Sequence, residues 1–157
     1  MAITAAKLMR SLVAAAAISL VPAALAAEPI GQIKTATGAV SVERAGQASA
    51  LGIGDRVYQS DTVVTEVGAV GITFADNSTM ALGPHSRLAL DQFAFNPTTQ
   101  NGTFQASLQK GTLAVKSGQI VKQTPEAMRI KTPAALLGVR GTEFAVRADD
   151  VPEAPKP

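Results

Sequence analysis

The sequence predicts an all-β domain, a sandwich or barrel of short antiparallel strands, on three observations. Apolar residues recur with a period of two along most of the chain after residue 27. Gly, Pro, Asn or Asp breaks the runs roughly every ten residues. No segment there carries a sustained apolar stripe at helical spacing. A β-roll or short solenoid is the alternative architecture. It rests on a faint echo between "VVTEVGAVGITFADNSTMAL" and "RIKTPAALLGVRGTEFAV", each of which runs strand, threonine, small-residue corner, strand.

The first 26 residues read as a Sec-type signal peptide preceding the domain. Lys7 and Arg10 form a basic head, Ser11 to Val21 an apolar core, Pro22 a helix break, and Ala24 and Ala26 the small residues of a cleavage site. Cleavage after Ala26 would release the chain into the periplasm with no stable membrane span. Residues 27–147 then form one β-domain. The stretch 148–157, "ADDVPEAPKP", has three prolines and no apolar period, and is expected to be a disordered tail.

Within the domain, Val40 and Val42 share one strand face, and Val70, Ile72 and Phe74 another. Asp76-Asn77 should turn the chain tightly into Met80 and Leu82, since both residue types tolerate a positive φ. Leu88, Leu90, Phe93 and Phe95 continue the pattern. So do Leu113 and Val115, Ile120 and Val121, Met128 and Ile130, and Phe144 and Val146. Between Pro133 and Gly138 there is room for one helical turn at most, over "AALL".

Charge narrows the partners. Of 14 Lys and Arg, two leave with the signal, so 12 face 12 Asp and Glu, and the domain is formally neutral. The basic footprint that nucleic acid requires is absent. Removing 26 of 157 residues leaves 131, enough for one domain with its own core. There is no cysteine, so the exported fold holds by packing alone.

The residues also narrow the chemistry. Thiol catalysis needs a cysteine, and a zinc site of the usual type needs more than the single His85. His85 and Ser86 are neighbours on an extended chain and point to opposite faces, so they do not make a nucleophile–base pair. Asp55, Asp61, Asp76 and Asp91 supply carboxylates, but nothing in the sequence marks one as a catalytic acid. The expectation is a protein without enzymatic activity or cofactor. In "LGIGDRVYQSDTVVT", Gly54-Asp55 and Ser60-Asp61 read as turns capped by their own carboxylates. The alternate-position carboxylates and sixth-position glycine of a helix–loop–helix calcium site are missing. Asn77 and Asn101 fit a glycosylation acceptor pattern but read as turn residues.

The stretch "TPAALLGVRGTEF" sets Arg140 between Gly138 and Gly141, with Thr142 following. An arginine on a backbone bent at both sides and close to the core would be desolvated and need a carboxylate. The expected arrangement is a largely buried Arg140 paired with an acid from the 55-to-61 turns, or locally with Glu143. The alternatives are an anion or glycan contact, or a contact with a protein partner.

Four segments, "LGIGDRVYQSDTVVT", "ITFADNSTMALGPHSRLALDQF", "QKGTLAVKSGQI" and "IKTPAALLGVRGTEF", together resemble the FecR-like domain family, named for an envelope regulator of iron uptake. The resemblance runs from about Gly38 to Val146. It is carried by Gly54, Asp55, Asp61, Thr62, Asp76, Ser78, Thr132, Pro133, Gly138, Arg140, Gly141 and Thr142 among others. Asn77 departs from the glycine common at that turn. The resemblance implies a jelly-roll-like periplasmic domain that senses or binds another envelope protein without catalysis. The cytoplasmic segment, membrane helix and receptor-binding domain of the family's sigma-factor regulators are not read in this sequence, so the chain is not expected to carry a signal across the inner membrane alone. A cell-wall or capsular glycan is the alternative ligand. The single tyrosine and the absence of tryptophan argue against sugar stacking.

Overall fold

The computed structural model describes residues 26–149, so the expected signal peptide, apart from Ala26, and residues 150–157 lie outside the described residues. Ten strands and one helical turn follow in order. They are β1 (Gly31–Arg44), β2 (Gln47–Ala50), β3 (Arg56–Val57), β4 (Thr62–Phe74), β5 (Thr79–Leu82), β6 (Arg87–Phe95), β7 (Gly102–Lys116), α1 (Gln119–Gln123), β8 (Met128–Lys131), β9 (Leu136–Gly138) and β10 (Glu143–Ala148).

The all-β expectation holds, and the strands form one connected network folded into two layers. Three long strands serve both layers. The second half of β1 and the first halves of β4 and β7 form a layer in the order β2-β1-β4-β6-β7-β8-β9. The other halves form a layer in the order β3-β1-β4-β5-β7-β10. Sequence periodicity suggests short strands throughout, but β1, β4 and β7 have 14, 13 and 15 residues.

Each long strand bends where a side chain has no room. A Cβ on Gly38 would lie 1.9 Å from the Val67 carbonyl oxygen, and one on Gly68 1.9 Å from that of Thr37. The two backbones touch at the bend, which only glycine permits. In β7, Gly111 has φ +93 and would set a Cβ 2.1 Å from Ser86 Oγ.

The core lies between the layers. Alternation delivers Val40, Val42, Val70, Ile72, Phe74, Met80, Leu82, Leu88, Leu90, Leu113, Val115, Met128 and Ile130 to it, all buried as their spacing predicts. Phe74 from one layer meets Phe104 from the other edge-on at 4.7 Å between ring centroids. Phe104 meets Phe93 at 5.1 Å. Phe93, Phe95, Phe144 and Val146 pack against the core while partly exposed.

Three local expectations change, and the bound of at most one helical turn over "AALL" is met without a helix. Ile120 and Val121 lie on α1, because both are buried and successive residues of a strand face opposite ways. Leu136 and Leu137 lie in β9, so no helical turn forms over "AALL". β8 runs parallel to β7, since β7 continues into the second layer and the chain returns through α1. β10 ends on a buried Ala148, one residue inside the expected tail.

Candidate functional site

The residues singled out in the sequence divide into a buried set and an exposed set. In the buried set, Asp61 accepts Tyr58 N–H at 2.8 Å, which makes the expected capped turn. It also receives a bidentate fork from Arg44, with Nε to Oδ1 at 2.7 Å and Nη2 to Oδ2 at 2.6 Å. The Arg44 guanidinium lies 4.4 Å from the centroid of the Tyr58 ring. The hydrogen bonds that Arg44 donates to Asp61 raise the Arg44 pKa further. Thr62 follows, half-buried in β4 between Glu43 and Ala89. Asp55 caps a second turn, accepting Gly52 N–H at 2.7 Å, while Gly54 takes φ +92.

Asp76 and Ser78 are fully buried at the β4–β5 turn. Asp76 Oδ1 accepts the Ser78 N–H at 3.1 Å and its hydroxyl at 2.5 Å. Asn77 sits at the tip with φ +64, the left-handed conformation expected of it. Strand pairing from Val70↔Leu82 to Thr73↔Thr79 makes the hairpin read from the sequence. Thr65 and Ser86 form a third buried polar joint: Ser86 N–H donates to Thr65 Oγ1 at 3.0 Å, and Thr65 Oγ1 donates to the Gly83 carbonyl at 2.6 Å. His85 is exposed with φ +52 while Ser86 is buried, so the two do not meet as a catalytic pair. Asp91 accepts the Ser107 hydroxyl. Each of the four aspartates thus serves a local partner, and none is paired with another carboxylate. Among the described residues, no group of three or more His, Cys, Asp or Glu is placed to hold a metal ion.

Of the exposed motif residues, Gly54 and Asp55 lie just before β3, and the others gather where α1, the β8–β9 hairpin and the start of β10 meet. Thr132 and Pro133 make the hairpin turn, with Thr132 Oγ1 accepting Ala135 N–H at 3.0 Å. Val139 is buried and its N–H donates to the Met128 carbonyl at 3.1 Å. Alternation therefore sends Arg140 outward, which corrects the expectation of a buried arginine. Its side chain is 76% exposed, and its partner is Glu126 at 2.6 Å, not an acid of the 55-to-61 turns and not Glu143. The buried acid of those turns is already held by Arg44. Glu143 instead faces Lys116 at 3.8 Å.

Gly141 takes φ +125, and its carbonyl accepts the Ser117 hydroxyl at 2.6 Å. The Thr142 carbonyl accepts Ser117 N–H at 2.8 Å. These bonds hold the loop open over a groove of about 680 Å³ that reaches from Val121 and Lys122 to Arg140 and Thr142. A second hollow of about 410 Å³ adjoins it, between Pro125, Glu126, Arg129, Leu136, Gly138 and Arg140.

Sequence reasoning did not single out Arg44, Glu126 or Arg129. Arg44 had a legible signal: it continues the inward row of Val40 and Val42 and so needs an acid at the strand end. Glu126 and Arg129 had none, because only the return through α1 brings them to Arg140.

No curated protein and no solved structure matches this chain. A family model described as FecR protein matches residues 61–152, more than half of the chain. The match takes in β4 to β10 and leaves out β1 to β3, with Gly54 and Asp55. It begins at Asp61, the buried acid, and contains the whole exposed groove, so on this evidence the chain belongs to the FecR family.

Proposed function

We propose that the chain is a non-catalytic protein-interaction and sensing module, exported by its N-terminal signal and working in the periplasm on an envelope protein partner. The FecR family belongs to envelope signalling. One observation carries the finer reading. The family-like residues that are buried, Asp61, Asp76 and Ser78, hold turns. In "GVRGT", by contrast, Val139 alone is buried, and Gly138, Arg140, Gly141 and Thr142 stand exposed beside an open groove. Exposed side chains that the packing does not use are free to contact something else. Each of the four aspartates accepts a local hydrogen bond and none is paired with another carboxylate, which supports the non-catalytic reading, and no cofactor is invoked.

A second reading, a peptidoglycan or capsular glycan module, is favoured by the hydroxyls of Ser117, Thr124 and Thr142 along the groove. It lacks a stacking platform, since the only tyrosine is covered by Arg44.

Site-specific crosslinking in the producing cell separates these readings. A photoreactive residue replacing Arg140 is expected to trap one protein, and the same residue at Asn101, in the β6–β7 turn, to trap none. A glycan adduct from position 140 supports the second reading. Recovery of the chain from the periplasmic fraction with Ala27 at its N-terminus is expected; full-length chain in membranes would refute the export.

A further inference from the structure

The β8–β9 hairpin has three properties that its own fold does not call for. First, β9 is a terminal strand of its layer among the described residues. Val139 N–H bonds to the Met128 carbonyl, and Thr132 N–H to the Ala135 carbonyl. An antiparallel ladder alternates, so Ala135, Leu137 and Val139 turn their main-chain groups toward β8. Leu136 and Gly138 turn theirs to the open side.

Second, Gly138 is a glycine without an internal reason. A Cβ there meets nothing within 4 Å, and its φ lies outside the positive range that favours glycine. Glycine weakens a strand unless another backbone comes close, and among the described residues none does.

Third, the outward face is cationic. Arg129 stands opposite Gly138 and Lys131 opposite Leu136. Arg140 follows β9, and Lys122 lines the adjoining groove. Glu126 is the one acid in the lining of the two hollows. Leu136 adds a 62% exposed apolar side chain. Of the other layer edges, β2 is uncharged over Gln47–Ala50, β10 carries both signs in Glu143 and Arg147, and β3, with Arg56, is only two residues long.

We propose that the free edge of β9 binds an extended acidic peptide segment of a partner protein, added as a further strand. This rests on the protein-interaction reading above and names its chemistry. The main-chain groups of Leu136 and Gly138 pair with the peptide backbone, and Gly138 leaves room for its approach. Arg129, Lys131 and Arg140 meet its acidic side chains, and Leu136 packs against an apolar one. A peptide fits better than a glycan because only a backbone continues the ladder.

The probe is a dye-labelled peptide of about nine residues, the length of a long strand, alternating Glu with Val and Thr. Fluorescence anisotropy with the exported chain is expected to show binding that weakens as salt rises. The same peptide with Lys for Glu should not bind. Methylating alternate peptide amides should abolish binding, which charge attraction alone would not do. Gly138→Val should weaken binding roughly tenfold or more by blocking the approach, with the melting temperature unchanged. Arg129→Glu tests the same edge from β8 should Gly138→Val disturb the fold.

Absence of binding, indifference to amide methylation, or equal affinity in Gly138→Val overturns the proposal, as does preference for an acidic glycan fragment over the peptide. If the edge is silent but crosslinkers elsewhere on the domain trap an envelope protein, this inference falls and the protein-interaction reading stands. If no position traps a protein, both fall.

Discussion

Two arginine–carboxylate pairs in this molecule, one bidentate and one single, have the same contact distance and opposite consequences. Arg44 grips Asp61 at 2.6 Å, and the Asp61 side chain is 1% exposed. Arg140 reaches Glu126 at the same distance, with side chains 76% and 70% exposed. Distance therefore does not separate them; the dielectric around the acid does. A carboxylate taken out of water depends on its partner, because the solvation it lost must be replaced. A carboxylate in water has solvent as an equal alternative. The first pair belongs to the architecture, and the second is free to exchange its partner for a ligand.

The largest test of this contrast is Arg44→Ala, which leaves Asp61 buried with only the Tyr58 amide. It should cost about 3 kcal/mol, the low end for breaking a buried pair because Arg44 is itself half in water. A denaturant melt measures it, and a loss below that of Arg140→Ala would break the comparison.

The buried turn at Asp76 supplies the next effect. Asn77 holds φ +64, so Asn77→Val should cost about 1–2 kcal/mol through backbone strain. Asn77→Gly should be neutral or slightly stabilising. Equal denaturation midpoints for the two variants would place the strain elsewhere.

Arg140→Ala should move stability by no more than about 0.5 kcal/mol, as is usual for an exposed pair. A sharp fall in the melting temperature would return Arg140 to the structural role that its sequence context suggests.

The smallest effect is one of pH. Glu43 on β1 and Arg87 on β6 form a half-exposed pair across the intervening β4. Hydrogen bonds from Arg87 hold the Glu43 carboxyl below its ordinary 4.5, against a smaller opposing effect of desolvation. With the folded pKa lowered, the unfolded chain binds the proton first. The contribution is thus present above pH 4.5 and lost as the pH falls through the folded value. Glu43→Gln should be less stable than the parent near neutrality and converge with it in acid. A gap that does not narrow as the pH falls below 4.5 would refute the assignment.

Much of the fold was legible because a half-buried strand writes its inner face into every second residue. The rows through Val40, Ile72, Met80, Leu88 and Leu113 all reached the core. The turn at Asp76-Asn77 was legible because so few residue types accept its backbone. The candidate site was only partly legible. "GVRGT" stood out, yet its arginine was assigned to the interior on the strength of two glycines. The row of Leu137 and Val139 already placed Arg140 on the outer face.

The sequence by itself determined the strand content, the inward rows and the tight turns, since these depend on each residue and its near neighbours. Only the tertiary structure decided that three strands would bend at Gly38, Gly68 and Gly111 to serve two layers, because a bend needs the opposing backbone to be in place. It also decided the partners of the charges. Arg44 met Asp61, 17 residues away, and Arg140 met Glu126, 14 away, through chain reversals that no local pattern encodes. Pairing acts across space and periodicity acts along the chain, so the residues named the charges and the fold chose which of them would be buried.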